Sequence, residues 1–160
     1  MQHRVANVTA RLPTGQLQEF RQVCRHVAVE SSGQSRIAAV SLPKRVLIVD
    51  DHVENVDWAV KLFQAYGHEA KGCYNGRDAI RSVHEYDPDA VIMDISMPDI
   101  TGWEAARAIR ESIPGKRPLL IAVTGEYKGA ADLMYSKMSG FDHYILKPAD
   151  PEKLIELIEA

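Results

Sequence analysis

Between residues 44 and 160, short apolar runs alternate with stretches in which apolar residues recur at helical spacing. Five stretches have the length of a strand: the apolar runs Val46–Val49, Ala90–Met93, Leu119–Val123 and Tyr144–Leu146, and residues 68–73. Uninterrupted apolar runs of this length are typical of strands that are buried on both faces of a parallel sheet. The run at residues 68–73 is the least apolar and is the weakest of the predicted strands.

Five helices are predicted between and after these strands. They are the stretch that follows Asp51 and stops at Gly67, residues 77–86, the stretch from Trp103 to Pro114, residues 129–138, and a stretch from about Glu152. Alternation at this spacing implies right-handed crossovers, and therefore an α/β fold with a parallel sheet and helices on both of its faces. In such sheets, functional residues gather at the carboxyl ends of the strands.

Residues 1–43 lack this regularity and are predicted to form an N-terminal extension to a domain at residues 44–160. Apolar residues recur at helical spacing over residues 16–29, which indicates one amphipathic helix. Because a single such helix cannot bury its apolar face alone, we expect the extension to be partly helical or disordered. The extension carries a net charge of +3 and the domain −6, so the domain is a poor candidate for direct binding of nucleic acid.

The chain has no feature that is typical of a membrane or secreted protein. No run approaches the roughly 18 consecutive apolar residues that a membrane helix needs, and the first residues lead into no long apolar stretch. Cys24 and Cys73 lie far apart and have no metal-ligand spacing, so we expect reduced cysteines. These observations predict a cytoplasmic protein with no membrane partner.

Polar residues follow four of the predicted strands and should meet at one edge of the sheet. Asp50 and Asp51 end the first strand, Asp94 the third, Thr124 the fourth and Lys147 the fifth. Three carboxylates at one edge repel one another, and a divalent cation removes that conflict. Mg²⁺ binds through one or two protein carboxylates together with phosphate oxygens, so this edge is predicted to be an Mg²⁺ site with room for a phosphoryl group.

The same residues suit phosphoryl transfer to a carboxylate. Carboxylates can act as nucleophiles toward phosphorus and form an aspartyl phosphate. Such a transfer depends on positioning and on charge neutralisation, for which Lys147 supplies a positive charge and Thr124 a hydroxyl donor. Taken singly, an aspartate at a strand end is usually a helix cap or a turn residue, and a lysine there is usually solvated. The functional interpretation therefore depends on all of these residues occurring together and in this order.

With these residues in place, residues 44–160 resemble the receiver domain of two-component response regulators, the family that includes the chemotaxis regulators. Five features carry the resemblance: the apolar strand into Asp50-Asp51, Asp94 followed by Met97-Pro98 and Gly102, Thr124 at the end of the fourth strand, Lys147-Pro148 after the fifth, and their order. The resemblance implies a flavodoxin-like, doubly wound sheet of five parallel strands in the order 2-1-3-4-5, with five helices in a three-layer sandwich. It does not extend to residues 1–43.

The resemblance also implies a role for each residue of the motif. Asp94 would accept the phosphoryl group from a phosphohistidine, and Lys147 would contact it. Asp51 would bind Mg²⁺ directly and Asp50 mostly through water, with Asp94 and the backbone carbonyl of Ser96 completing the metal site. Mn²⁺ is expected to be able to replace Mg²⁺ at this site. The Lys147–Pro148 peptide bond is expected to be cis.

A conformational switch follows from the same resemblance. Thr124 would move toward the phosphoryl oxygens, and Tyr144 would turn inward to fill the space that it leaves. For Tyr144 the alternative is a half-buried strand tyrosine without a switch role. Ser96 and Glu126 stand at the positions where the family tunes loss of the phosphoryl group.

Three neighbours of the motif do not change this expectation. Gly125 replaces the alanine that often follows Thr124, and extra backbone freedom there is expected to loosen the loop without blocking phosphate access. His52 and His143 are interpreted as peripheral.

The partners implied are a sensor histidine kinase or a histidine phosphotransfer protein, and a downstream protein target. No DNA-binding helix pair or enzymatic module is recognisable in the sequence, so we expect output through a protein contact or a phosphoryl relay. The last two helices and the fifth strand also offer a surface for a symmetric homodimer. The expected chemistry is self-catalysed phosphotransfer with slow autodephosphorylation, and not enzymatic turnover.

Other functions are less well supported by the residues. An Mg²⁺-dependent phosphatase of the haloacid dehalogenase type needs an acid two residues after its nucleophile, where this chain has Ser96. A flavin nucleotide would be repelled by the acidic edge, and no phosphate-binding loop of the G-x-x-x-x-G-K-[ST] type is present. A receiver that has lost phosphorylation would lack a motif residue, and none is lost.

Overall fold

The structure is a computed structural model that describes residues 42–113, 115, 117–125 and 129–160. The predicted extension at residues 1–43, including its helix at 16–29, lies almost wholly outside the described residues, and so does Glu126. The boundary between extension and domain therefore stays a prediction.

Five strands and five helices alternate along the described chain. They are β1 (Arg45–Val49), α1 (Val53–Ala65), β2 (Glu69–Cys73), α2 (Gly76–Tyr86), β3 (Ala90–Asp94), α3 (Gly102–Ser112), β4 (Leu119–Thr124), α4 (Ala130–Met138), β5 (His143–Leu146) and α5 (Pro151–Glu159). Every strand and helix that the sequence predicts between residues 44 and 160 is present, with bounds within a few residues of the expectation.

The strands form one parallel sheet in the order β2-β1-β3-β4-β5. This is the flavodoxin-like order that the resemblance implies, so the predicted fold class is confirmed. The central strands are apolar throughout because both faces of the sheet are covered. Parallel pairing places all five carboxyl ends at one edge, which is the edge where the motif residues lie.

The alternation of side chains along each strand divides the core into two layers. On β1, Leu47 and Val49 belong to the cluster that α2 and α3 cover, whereas Val46 and Ile48 belong to the cluster that α1 and α5 cover. The result is a three-layer sandwich. In α3, Ala105 is fully buried and contributes to the core.

Side-chain caps fix several of the loops between strands and helices. Asn75 caps α2, and Thr101 forms a capping box with Glu104 at the start of α3. Asp150 caps α5 at its first turn. Such caps satisfy backbone N–H groups that have no partner within the helix, so they define where each helix begins.

Helix α4 has fewer buried residues than each of the other four helices. All nine of its residues are described, and Ser136 is the one that is buried. Trp103 on α3 donates a hydrogen bond from Nε1 to Ser136 Oγ at 3.0 Å, and its ring lies edge-on to Tyr135 at 4.9 Å between centroids.

Within the described residues, every helix is too short or too polar to cross a membrane.

Candidate functional site

Asp50 and Asp94 lie side by side at the carboxyl edge of the sheet. Val49 pairs with Met93 in the register of β1 and β3, so Asp50 and Asp94, which follow them, lie next to each other at the end of the two strands. The side chains of Asp50 and Asp94 are 8% and 7% exposed, which leaves both carboxylates largely shielded from water. Two neighbouring carboxylates that are shielded from water need a positive charge nearby if both are to stay ionised.

Lys147 supplies that charge. Its Nζ donates to Asp50 Oδ2 at 2.7 Å and to Asp94 Oδ2 at 2.9 Å, although the residues lie 97 and 53 positions apart in sequence. The Lys147–Pro148 bond is cis, as expected. The structure thus brings together three of the side chains that the sequence predicts to meet at this edge.

The charges of this group are mutually stabilised. Burial alone would raise the pKa of Asp50, but hydrogen bonds from Lys147, the His52 backbone and Asn55 hold that pKa below its ordinary value. Burial would lower the pKa of Lys147, but its hydrogen bonds to Asp50 and Asp94 raise it above the ordinary value. Asp50 is therefore an anion and Lys147 a cation at neutral pH.

Asp51 lies on the more open side of the site, beside His52. The Nδ1 atom of His52 is 3.0 Å from Asp51 Oδ1 and 3.2 Å from Asp50 Oδ1. The charge of Asp51, followed by contacts with Asp50, raises the pKa of His52 above its ordinary value. His52 was interpreted as peripheral, and the structure instead brings it into contact with both carboxylates.

The ligand atoms of Asp50, Asp51 and His52 all lie within 4.8 Å of one another. This is the group within the described chain that can hold a metal ion through three such side chains. Its oxygen donors suit a hard divalent cation such as Mg²⁺, which prefers carboxylates. Asp94 is not part of this group, although Lys147 joins its carboxylate to that of Asp50.

The loop after Asp94 is packed tightly against the strand. The backbone N–H of Ser96 donates to Asp94 Oδ1 at 3.3 Å, and that of Gly102 donates to Ile95 O at 2.9 Å. A Cβ atom at Gly102 would lie 2.3 Å from the backbone oxygen of Asp94, so only glycine fits there without a shift. Gly102 thus allows α3 to start directly against the strand that carries Asp94.

The remaining motif residues lie on β4 and β5. Thr124 is 1% exposed at the end of β4, and its carbonyl accepts a 2.8 Å hydrogen bond from the backbone N–H of Lys147. Tyr144, which pairs with Ala122 in the register, is half-buried against the cluster under α2 and α3. A Cβ atom at Gly125 would meet no described atom within 4 Å, so there is room for alanine there.

Comparison with known proteins agrees with this geometry. Residues 46–159 match the response regulator receiver domain family. Protein PilH of Pseudomonas aeruginosa is 31% identical over 117 residues, which span 72% of this chain and 95% of PilH. Chemotaxis protein CheY of Thermotoga maritima is 31% identical over 116 residues, which span 72% of this chain and 94% of CheY.

Solved structures show the same fold. The crystal structure of the receiver domain of a Pseudomonas aeruginosa sensor histidine kinase superposes with a TM-score of 0.65 and 26% identity, covering 73% of this chain and 95% of that one. That structure holds a magnesium ion coordinated in its active-site cleft. The protein described here belongs to the family of response regulator receiver domains.

Proposed function

We propose that this receiver takes a phosphoryl group on Asp94 in a reaction that depends on Mg²⁺. The observation that supports this most directly is the bridge from Lys147 Nζ to the buried carboxylates of Asp94 and Asp50. A lysine that is held at an acidic edge by two carboxylates is positioned to neutralise a phosphoryl group attached to one of them.

The transfer forms one bond and breaks one bond. An oxygen of Asp94 attacks phosphorus, a P–O bond forms, and the P–N bond to the donor imidazole breaks, with the imidazole nitrogen keeping the electron pair and taking up a proton. Lys147 binds the phosphoryl oxygens through Nζ. The hydroxyl of Thr124, at the end of the adjacent strand, donates to them after the transfer.

The divalent ion would be held by the carboxylates of Asp50, Asp51 and Asp94 and by the carbonyl of Ser96. When bound, it supplies positive charge that offsets the carboxylates and the transferred phosphate. Mg²⁺ is the proposed ion, and Mn²⁺ is an acceptable substitute.

The response to phosphorylation would involve β4 and β5. Thr124 shifts toward the phosphoryl group and Tyr144 repacks inward, which changes the face made by α4, β5 and α5. Ser96 and Glu126 would set how readily water reaches the phosphoryl group. Ser96 is exposed beside Asp94, in agreement with that role.

The proposed partners are a sensor histidine kinase or a histidine phosphotransfer protein, and a downstream protein target, in the cytoplasm. The face of α4 and β5 exposes several large apolar side chains, namely Leu133, Met134, Tyr135, Met138 and Leu146. Such a patch favours protein contacts, including a symmetric homodimer.

Incubation with acetyl phosphate and Mg²⁺ tests the proposal. We expect an acid-stable, hydroxylamine-sensitive mass increase of one phosphoryl group in the wild-type protein and in Asp57→Asn, a control at an exposed position on α1. Asp94→Asn should not be labelled. A wild-type protein that takes no label, or an equal extent of labelling in Asp94→Asn, would refute the assignment.

The alternative is a phosphatase of the haloacid dehalogenase type. It predicts repeated hydrolysis of a small phosphomonoester such as p-nitrophenyl phosphate, in excess of the protein concentration. We expect none, because Ser96 cannot serve as the general acid at that position. Multiple turnovers that Asp94→Asn abolishes would favour the phosphatase.

A further inference from the structure

His52 has the position of a metal ligand beside the proposed Mg²⁺ site. Its Nδ1 lies 3.0 Å from one carboxylate oxygen of Asp51 and 3.2 Å from one of Asp50. Ligands that are about 2.1 Å from an octahedral ion lie about 3.0 Å from their neighbours in the shell. Both distances from Nδ1 therefore match adjacent positions around one ion, and all three ligand atoms lie within 4.8 Å of one another.

The two carboxylate oxygens of Asp50 contact different groups. Oδ2 accepts from Lys147 at 2.7 Å and from Asn55 at 3.0 Å, whereas Oδ1 faces His52. Lys147 thus contacts Asp50 and Asp94 through their Oδ2 atoms, whereas the imidazole contacts the Oδ1 atoms of Asp50 and Asp51. A cation between Asp50, Asp51 and His52 would leave the lysine bridge intact.

The backbone also holds His52 in place for this role. Its N–H donates to Asp50 Oδ1 at 2.9 Å, and its extended conformation, with φ −92° and ψ 110°, directly precedes α1. The side chain is 65% exposed, so an ion can reach it from solvent without displacing packed residues. When an ion takes the place of the proton on Nδ1, that proton leaves to water and Nε2 keeps its own.

We propose that His52 Nδ1 is a further ligand of the divalent ion that Asp50 and Asp51 hold, and that it gives the site a preference for Mn²⁺ over Mg²⁺. The inference rests on the proposed metal site and adds a residue and an ion selectivity to it. Imidazole nitrogen is a favourable donor for first-row transition ions, whereas Mg²⁺ strongly prefers oxygen. An imidazole that takes the place of a water ligand is therefore expected to add more to the affinity for Mn²⁺ than to the affinity for Mg²⁺.

Electron spin echo envelope modulation of the Mn²⁺ complex tests the ligand directly. We expect a ¹⁴N coupling from a bound imidazole in the wild-type protein, its replacement by a ¹⁵N coupling after labelling with [¹⁵N]histidine, and its loss in His52→Ala. His84→Ala is the matched control, since His84 is exposed and contacts Ser112 instead. An Mn²⁺ complex of the wild type without nitrogen coupling would overturn the inference.

Affinities for the two ions provide the second measurement. In His52→Ala we expect Mn²⁺ to bind about tenfold more weakly, the scale seen when a metal site loses a supporting group, while Mg²⁺ affinity is nearly unchanged. An equal change for both ions, or none for Mn²⁺, contradicts the proposed selectivity.

Asp51→Asn separates this inference from the proposed function. If it weakens both ions while His52→Ala leaves their ratio unchanged, the metal site stands and the role of His52 fails. If Asp51→Asn weakens neither ion, the metal site itself fails.

Discussion

Charged side chains are paired differently at the two edges of the sheet. At the amino edge, Arg110 on α3 donates to three acceptors, which are Gly140 O, Pro118 O and Asp142 Oδ2. Asp142 Oδ2 also accepts from the backbone N–H of Leu120 at 2.9 Å. Arg110 and Asp142 thus form an ion pair, and both side chains also form hydrogen bonds with backbone groups.

A second cluster at the amino edge follows the same rule. Arg45 donates to the Asp87 carboxylate and to the carbonyl of Tyr86, while its backbone N–H donates to Asp89. Asp87, in a left-handed conformation with φ 47°, ends α2 at this point. The ion pairs therefore join helix ends to strand starts.

At the carboxyl edge, by contrast, negative charge exceeds positive charge. Asp50, Asp51 and Asp94 share one lysine and one exposed imidazole. An excess of buried negative charge costs stability unless a cation compensates it. The contrast teaches that matched charges mark the edge that holds the fold together, and unmatched charges mark the edge that binds and reacts.

The largest expected effect is at the matched edge. Arg110→Met should lower the free energy of unfolding by about 3 kcal/mol, because it removes the charged donor of two carbonyl groups and leaves Asp142 with the exposed Arg117 at 3.7 Å. Urea denaturation measures the change. Arg107→Met on the same helix is the control, since its pair with Glu111 is exposed and contributes at most about 0.5 kcal/mol. Equal losses in both variants would remove the distinction that we draw.

Metal binding should stabilise the unmatched edge. At an Mg²⁺ concentration about 100 times its dissociation constant, the free energy of unfolding should rise by about 2.7 kcal/mol. Asp51→Asn should gain much less at the same concentration, because it lacks one anionic ligand. Isothermal titration and urea denaturation with and without the ion give both numbers, and an unchanged gain in Asp51→Asn would contradict the assignment of Asp51.

The same substitution, aspartate to asparagine, is expected to have different effects at the two edges. Without added metal, Asp142→Asn should cost about 1–3 kcal/mol, because it weakens hydrogen bonds to a charged partner. Asp51→Asn should change the free energy of unfolding by no more than about 0.5 kcal/mol, since this carboxylate is part of a local excess of negative charge. A larger cost at Asp51 than at Asp142 would reverse our interpretation of the edges.

The smallest expected effects concern two histidines, one near each edge, whose pKa values shift in opposite directions. His68 precedes β2, and burial lowers its pKa even though Glu159 lies 3.5 Å from Nε2. Its contribution to stability is therefore present above about pH 6.5 and is lost as pH falls toward the folded-state pKa. The pKa of His52 is raised, so its contribution is present below about pH 6.5 and is lost as pH rises through the folded-state pKa.

Urea denaturation from pH 5 to 8 in metal-free buffer resolves the two contributions. His68→Gln should reduce the loss of stability on the acid side, and His52→Gln should reduce the loss on the basic side. A His68→Gln profile that is parallel to the wild type would show that burial does not govern this residue.

Most of the fold and of the site could be predicted because their signals are local in sequence. Apolar runs identify the strands, and parallel strands carry the residues after them to one edge, which is why Asp50, Asp94 and Lys147 were placed together. The Arg110–Asp142 pair has no such signal, since its members lie 32 positions apart outside any motif. The contact of His52 with both carboxylates depends on the backbone conformation before α1, which the sequence pattern does not specify.

The core of α3 shows the same limit on a smaller scale. Helical periodicity indicates an apolar face, but it does not specify the close approach of α3 to the strand at Gly102 or the full burial of Ala105. Packing against a neighbouring element decides such details.

The hydrogen bond from Trp103 to Ser136 gives this receiver a built-in optical probe of α4. An indole that loses its Nε1 acceptor and its edge-on tyrosine neighbour changes its emission maximum and intensity, so any displacement of α4 from α3 would register in the fluorescence of Trp103. With Trp58 replaced by phenylalanine, motion of this helix can be followed in real time without attaching a dye.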